Sequence, residues 1–114
     1  MGDYRFNCAL QTGNGTVDSA NGEYNSPPTA KEAIEVVERL RQIGKGILPN
    51  KAHDDFDTTI DKVIEWLESK AGLNYTPNGN YDITEARETF TYKGTLYRVD
   101  IKPGGKTSEG GWFL

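Results

Sequence analysis

The first chemistry that the sequence suggests is nucleotide binding, because residues 100–111, DIKPGGKTSEGG, contain the Gly-Lys-Thr triplet of a phosphate-binding loop. The full pattern is G-x-x-x-x-G-K-[ST], and the place of its first glycine is taken by Asp100. A carboxylate there would repel the phosphates. The segment after Thr107, SEGGWFL, is also too rich in glycine to begin the helix whose amide groups bind the anion. We therefore interpret the segment as a glycine-rich turn, with Lys106 as a candidate contact for an anion or a peptide.

A second cluster, HDDFD, places His53 beside three aspartates. A calcium-binding loop that starts at the second aspartate would need glycine at its sixth position and glutamate at its twelfth, where the sequence has Ile60 and Trp66. A looser divalent-metal site formed by His53, Asp54 and Asp57 remains an alternative. We expect instead that one of Asp54, Asp55 or Asp57 caps the helix that follows, while the others stabilise its positive end, and we assign no metal ligands.

The chain contains few residues that could form a site for nucleophilic catalysis. His53 is the only histidine and Cys8 the only cysteine, so a Cys-His or Ser-His-Asp arrangement would have to use them. Cys8 falls on the apolar side of a predicted strand, where cysteine usually behaves as a small buried hydrophobic residue. We predict no catalytic residues and no cofactor.

Small α+β ribonucleases can cleave RNA without a metal, using basic, acidic and tyrosine side chains on a sheet. A ribonuclease-like toxin is an alternative hypothesis here, with these candidate groups: His53, Arg87, Tyr97 and Arg98. Glu88 lies on the same predicted hairpin. Cross-strand pairs of acidic and basic residues are common on exposed sheets, and we expect that explanation to apply to this hairpin.

Aromatic residues in turns and near a glycine-rich end are typical of recognition surfaces, because they offer rigid contact area with a polar tip. Trp112 and Phe113 follow two glycines. We expect them to pack on their own fold or on another chain.

Length and composition limit the range of functions. The 114 residues fit one domain spanning 1–114, and a hydrophobic content of 35% indicates a modest core that self-association would enlarge. A net charge of −4 disfavours general nucleic-acid binding. No apolar run approaches the roughly 18 residues that cross a membrane. A single cysteine cannot form an internal disulfide, so we expect a cytoplasmic protein without membrane binding.

Periodicity predicts an N-terminal strand and two helices. Tyr4, Phe6, Cys8 and Leu10 alternate with polar residues, as in a half-buried strand. Residues 11–28 form either a loop or a short hairpin turning at Asn21-Gly22. Helix one is predicted at about 29–44 and helix two at about 56–71. Helix one carries Thr29 and Glu32 at capping-box spacing and is predicted to end at Gly44 or Gly46. The predicted apolar stripe of helix one is Ala33, Ile34, Val37, Leu40, Ile43 and Ile47. The predicted apolar stripe of helix two is Phe56, Ile60, Val63, Ile64, Leu67 and Ala71.

A C-terminal β-hairpin is predicted to turn at Lys93-Gly94, which pairs Tyr92 with Thr95 and Phe90 with Tyr97. One face of the hairpin is then apolar and the other polar. The apolar face carries Phe90, Tyr92, Tyr97, Val99 and Ile101, and the polar face carries Arg87, Thr89, Thr91, Leu96, Arg98 and Asp100. The order of elements predicts an α+β domain in which two helices cover one face of an antiparallel sheet.

The leading functional hypothesis is a small non-enzymatic binding protein, such as an inhibitor, an immunity-type protein or an accessory factor, and an origin in a phage or mobile element would fit it. Such a protein would bind another protein or a small anionic ligand. A second alternative hypothesis is a protein that sequesters a nucleotide-like ligand between two protomers. The predicted binding residues are Arg87, Tyr92, Tyr97, Arg98, Lys102, Lys106, Trp112 and Phe113.

Overall fold

A computed structural model describes residues 4–26, 28–69 and 87–104, with the side chains of 102–104 excepted. Strands β1 (Tyr4–Thr12) and β2 (Gly15–Tyr24) are followed by helix α1 (Ala30–Ile47), a 3₁₀ turn (Asn50–Ala52) and helix α2 (His53–Ser69). Strands β3 (Arg87–Tyr92) and β4 (Thr95–Gly104) complete the described elements. None of the helices within these ranges is long and apolar enough to cross a membrane.

The four strands form one antiparallel sheet in the order β2-β1-β4-β3. Strands β1 and β4 lie side by side at its centre, with Cys8 opposite Ile101 and Gln11 opposite Arg98. This register brings the turns of the β1–β2 and β3–β4 hairpins to the same end of the sheet. The predicted α+β class, with both helices on one face of an antiparallel sheet, is confirmed.

The C-terminal hairpin has the predicted turn and register. Lys93 and Gly94 both have positive φ, 50° and 81°, as a two-residue type I′ turn requires. Phe90 is opposite Tyr97 and Tyr92 is opposite Thr95. Because the right-handed twist of the strands favours this turn type, the local sequence was sufficient to predict the turn and the register.

The N-terminal hairpin differs from the prediction. It turns at Gly13 and Asn14, while Asn21 and Gly22 lie inside β2, opposite β1. The predicted Asn21-Gly22 turn is therefore wrong. A Cβ atom at Gly22 would overlap the hydroxyl end of the Tyr24 side chain, so this glycine lies within a strand beside Tyr24 and does not reverse the chain.

Helix α1 begins as predicted and ends later. The Thr29 hydroxyl accepts a hydrogen bond from the Glu32 amide, and the Glu32 carboxylate accepts one from the Thr29 amide. The helix continues through both glycines to Ile47, where the Leu48 amide still donates to the Gly44 carbonyl. The predicted end at Gly44 or Gly46 is wrong, because Pro49, which cannot continue the backbone hydrogen bonding, terminates the helix.

The buried face of α1 also differs in detail from the predicted stripe. Val36 is fully buried, whereas Ile47 is 48% exposed, so Ile47 does not belong to the core. Helix α2 begins at His53, three residues before the predicted start, and the predicted end at residue 71 lies outside the described residues. Its buried face contains the predicted Phe56, Ile60, Val63 and Leu67, together with Thr59.

A series of ring contacts connects the helices to the C-terminal hairpin. Phe56 of α2 lies against Gly44 of α1, where a Cβ atom would overlap the phenyl ring. The Phe56 ring is 6.0 Å from the Phe90 ring, and Phe90 stacks on Tyr97 at 4.9 Å, measured between centroids. The position of α2 over the sheet therefore depends on the absence of a side chain at residue 44.

Charged groups join the two helices at their solvent-exposed edge. The Arg41 guanidinium lies 2.8 Å from Asp57 and 2.6 Å from Asp61, and the Lys45 ammonium lies 2.7 Å from Asp57. Burial alone would raise the pKa of Asp57, but hydrogen bonds from Lys45 and Arg41 outweigh burial and lower that pKa below its usual value.

Replacement of the two α1 glycines by alanine should change stability in opposite directions. Gly44→Ala should lower the free energy of unfolding by about 1–2 kcal/mol, because overlap with Phe56 exceeds the gain from alanine's helix preference. Gly46→Ala should raise it by up to about 0.5–1 kcal/mol, since nothing lies within 4 Å of the new Cβ. Urea denaturation measures both values, and a stabilising Gly44→Ala would contradict the packing described.

The Asp57 ion pairs predict a pH-dependent contribution to stability. Because the pKa of Asp57 is lower in the folded state, its contribution is complete above the unfolded pKa of about 3.9 and is lost as pH falls through the folded pKa. Asp57→Asn should therefore be less stable than the wild type at neutral pH, with a difference that narrows below about pH 4. Denaturation at several pH values tests this, with Glu65→Gln as the control, and a difference independent of pH would refute it.

Candidate functional site: the outer face of the sheet

The sheet face turned away from the helices, termed the outer face, is polar and yet largely buried at its centre. On β1 the core-facing residues Phe6, Cys8 and Leu10 alternate with the outer-face residues, which are Arg5, Asn7, Ala9 and Gln11. Strand β4 adds Arg98 and Asp100 to this face, and β3 adds Arg87. Asn7, Gln11 and Asp100 are at most 8% exposed. Buried polar residues are uncommon without a specific role.

Asp100 organises the polar residues at the centre of the outer face. Its Oδ2 accepts a hydrogen bond from Gln11 Nε2 at 3.1 Å, and its Oδ1 accepts one from Arg87 Nε at 2.9 Å. Arg98 Nε lies 3.8 Å from Asp100 Oδ2, and Arg98 Nη2 is 3.5 Å from Gln11 Oε1. One buried carboxylate therefore accepts a hydrogen bond from Arg87 and forms an ion pair with Arg98, and these two residues are termed the arginine pair.

The arginine pair keeps part of its hydrogen-bonding capacity. Within the described residues, Arg87 uses only its Nε, and its two terminal nitrogens form no hydrogen bond. The buried Nε of Arg98 also has no hydrogen-bond partner. Two positive charges face the single negative charge of Asp100, so the group has a positive excess, and the terminal nitrogens of the exposed Arg87 side chain are donors available to an anion.

A cleft lies beside the arginine pair, between the tips of the two hairpins. It has a volume of about 290 Å³ and is lined by Thr12, Gly13 and Asn14 of one tip and Thr95, Leu96 and Arg98 of the other. We term it the tip cleft. Leu96 is 52% exposed, which gives the cleft an apolar wall. Arg98 belongs to both the cleft and the arginine pair, so the two form one continuous surface.

The predicted binding residues separate into three groups. Arg87 and Arg98 are brought together on Asp100. Tyr92 and Tyr97 are on the opposite face of the sheet, half-buried against the core, and Tyr97 stacks on Phe90. The backbone of Lys102 pairs with that of Asn7 in β1, and the predicted contacts Lys106, Trp112 and Phe113 lie outside the described residues.

Sequence reasoning missed the roles of Asp100 and Gln11. Asp100 entered only as the residue that disqualifies a phosphate-binding loop, although hairpin alternation already placed it on the same face as Arg87 and Arg98. Gln11 was assigned to a loop, and its contact with Asp100 requires the pairing of β1 with β4, which are 89 residues apart at this point. No local pattern identifies that pairing.

The groups considered for catalysis do not form one site in the described residues. Burial, and secondarily the charge of Asp100, raise the pKa of the Cys8 thiol, which keeps it protonated. His53 is the first residue of α2, and its Nε2 lies 2.9 Å from the carbonyl oxygen of Leu48, which follows α1. Tyr97 faces the core while Arg87 and Arg98 lie on the outer face, so the ribonuclease-like set is divided between two sides of the sheet. No group of three or more potential metal ligands occurs in the described part of the chain.

Comparison of the chain with protein-family models, with curated protein sequences and with solved structures gave no match. The geometry and charge of the outer face are therefore the basis for inferring a function.

The stability cost of mutation should be unequal within this network. Asp100→Ala should lower the free energy of unfolding by about 1–3 kcal/mol, because it leaves Gln11 and Arg87 without their shared acceptor and Arg98 without its ion-pair partner. Arg87→Gln should cost less than about 1 kcal/mol, since its side chain is 59% exposed and can be solvated by water. Chemical denaturation of the two variants measures the difference. Equal costs would show that Asp100 does not organise the network.

Proposed function

We propose that this chain is a small non-enzymatic binding protein, of the inhibitor, immunity or accessory type, whose outer face binds an anionic group of a partner protein or a small ligand. The observation that carries the proposal is the arginine pair beside buried Asp100, in which the terminal nitrogens of Arg87 form no hydrogen bond with any described residue. A cytoplasmic location, self-association and a phage or mobile-element origin remain predictions, as do contacts through Trp112 and Phe113.

Fixed arginines are suited to binding an anion. A guanidinium binds carboxylate or phosphate oxygens through paired N–H donors. The Arg87 Nε–Asp100 hydrogen bond restricts the rotation of the Arg87 side chain before any ligand arrives. Less conformational entropy is then lost on binding than for a freely rotating arginine.

The charge distribution of the molecule also supports the outer face as the binding surface. Helix α2, on the other side of the sheet, contains six acidic residues and a single lysine, so it repels an approaching anion. The positive excess of the arginine pair lies on the opposite side. Such separation of charge orients an anionic partner during approach and raises its association rate at low salt.

Anion binding should be detectable by titrating the protein with sodium acetate and inorganic phosphate while recording amide NMR spectra. We expect saturable shifts, with weak affinity and strong salt dependence, at the backbone amides near Arg87, Arg98 and Asp100. Arg98→Gln should abolish them, because it removes one of the two charges of the pair.

Arg5→Gln is the matched control, because Arg5 is on the same face and pairs with Glu23 at 3.0 Å. Asp100 lies opposite Ala9, four residues along β1 from Arg5, which is roughly 13 Å at about 3.3 Å per residue. The Arg5→Gln variant should bind both anions as the wild type does. If neither acetate nor phosphate gives saturable shifts, or if the shifts are equal in Arg98→Gln, the proposed function is overturned.

A further inference from the structure

We infer that the occupant of the outer face is a segment of a partner protein that places a carboxylate on the arginine pair and an adjacent apolar side chain in the tip cleft. The inference rests on the proposed function and specifies the chemistry of the partner.

The charge of the site favours a carboxylate over a phosphate. Arg87 and Arg98 carry two positive charges and Asp100 one negative charge, so one unit of charge remains to be neutralised. A carboxylate carries one negative charge, whereas a phosphate monoester carries about 1.5 to 2 near neutral pH. The excess charge of the phosphate would be repelled by Asp100, which is 4% exposed and only weakly screened by water.

The size of the tip cleft favours a single side chain over a whole ligand. Its volume of about 290 Å³ lies at the lower limit of small-molecule sites, which occupy roughly 300–1,000 Å³. Thr12, Thr95 and the backbone of Gly13 form much of its wall, with Leu96 as its large apolar residue. Such a cleft accepts the tip of an aliphatic or aromatic side chain.

The two subsites are close enough for neighbouring residues of one segment. Arg98 contributes to both, since it lines the tip cleft and its Nη2 approaches the Gln11 side chain that bonds to Asp100. A partner residue bound to Arg98 therefore places its neighbours next to Leu96. An exposed apolar residue beside an organised arginine is a typical centre of a protein interface.

A library of random short peptides displayed on phage provides the probe. Selection should be made on immobilised wild-type protein after depletion on Arg98→Gln. We expect enrichment of peptides in which aspartate or glutamate adjoins a large apolar residue. For a synthetic enriched peptide, fluorescence anisotropy should show binding weakened by about tenfold or more in Arg98→Gln and several-fold in Leu96→Ala.

Two matched controls separate binding from folding. Ile47→Ala removes an apolar side chain of comparable exposure, 48% against 52% for Leu96, and Arg5→Gln removes an arginine elsewhere on the outer face. Both should bind the peptide as tightly as the wild type. Because Leu96 is exposed, Leu96→Ala should fold normally and test the cleft even if Arg98→Gln proves unstable.

The outcomes distinguish this inference from the function on which it rests. Enriched peptides without an acidic residue, or with affinity unchanged in Leu96→Ala, overturn the inference. Saturable binding of inorganic phosphate or acetate without enrichment of acidic peptides also overturns it and leaves the proposed function standing. A dimer of the wild type in sedimentation that Leu96→Ala or Arg98→Gln dissociates would show that a second copy occupies the surface, which again overturns it. If neither the anions nor the peptides bind, both the inference and the proposed function are overturned.

Discussion

The pairing of β1 with β4 is the interaction on which both the fold and the candidate site depend. It joins hairpins from the two ends of the described chain into one sheet, with Cys8 opposite Ile101 at its centre. The same register places Gln11 where its side chain can donate to Asp100. It also brings the two hairpin turns side by side, which creates the tip cleft. Loss of this pairing would remove the core, the polar network and the cleft together.

The helices stabilise the pairing from the other side of the sheet. Phe56 occupies the space left by Gly44 and contacts Phe90, so α2 packs on the C-terminal hairpin while α1 packs on the N-terminal one. Arg41 and Lys45 then connect the helices through Asp57. A core of modest size is thus supplemented by ion pairs at its edge. The apolar half of each strand packs in the core, which leaves the outer face to carry polar residues.

Local sequence predicted those parts of the structure that depend on neighbouring residues. The Lys93-Gly94 turn, the Thr29 capping box and most of the apolar face of each helix follow from short patterns, although the α1 stripe missed Val36 and wrongly included Ile47. The end of α1 was predicted wrongly, because Gly44 makes room for the Phe56 ring and does not terminate the helix. The Asn21-Gly22 turn was also wrong, since pairing with β1 extends the strand through it. Both errors arose where a distant contact determined the role of a glycine.

The candidate site was predicted only in part for the same reason. Hairpin alternation correctly placed Arg87 and Arg98 on one face with Asp100. The contribution of Gln11 and the existence of the tip cleft require the long-range pairing of β1 with β4, which no periodicity encodes. Tyr92 and Tyr97 were predicted to bind a partner because of their residue type. The alternation of the β3–β4 hairpin, which places the arginines on the polar face, also places these tyrosines against the core.

The most direct test of the central claim, that Asp100 holds an arginine pair ready for an anion, is NMR of the arginine side-chain N–H groups during titration with acetate. The account predicts that the terminal Nη signals of Arg87 and Arg98 shift together, while the Arg87 Nε–H remains hydrogen-bonded to Asp100 throughout. Terminal signals that do not move, or an Arg87 Nε–H signal that loses its hydrogen bond as acetate is added, would contradict it.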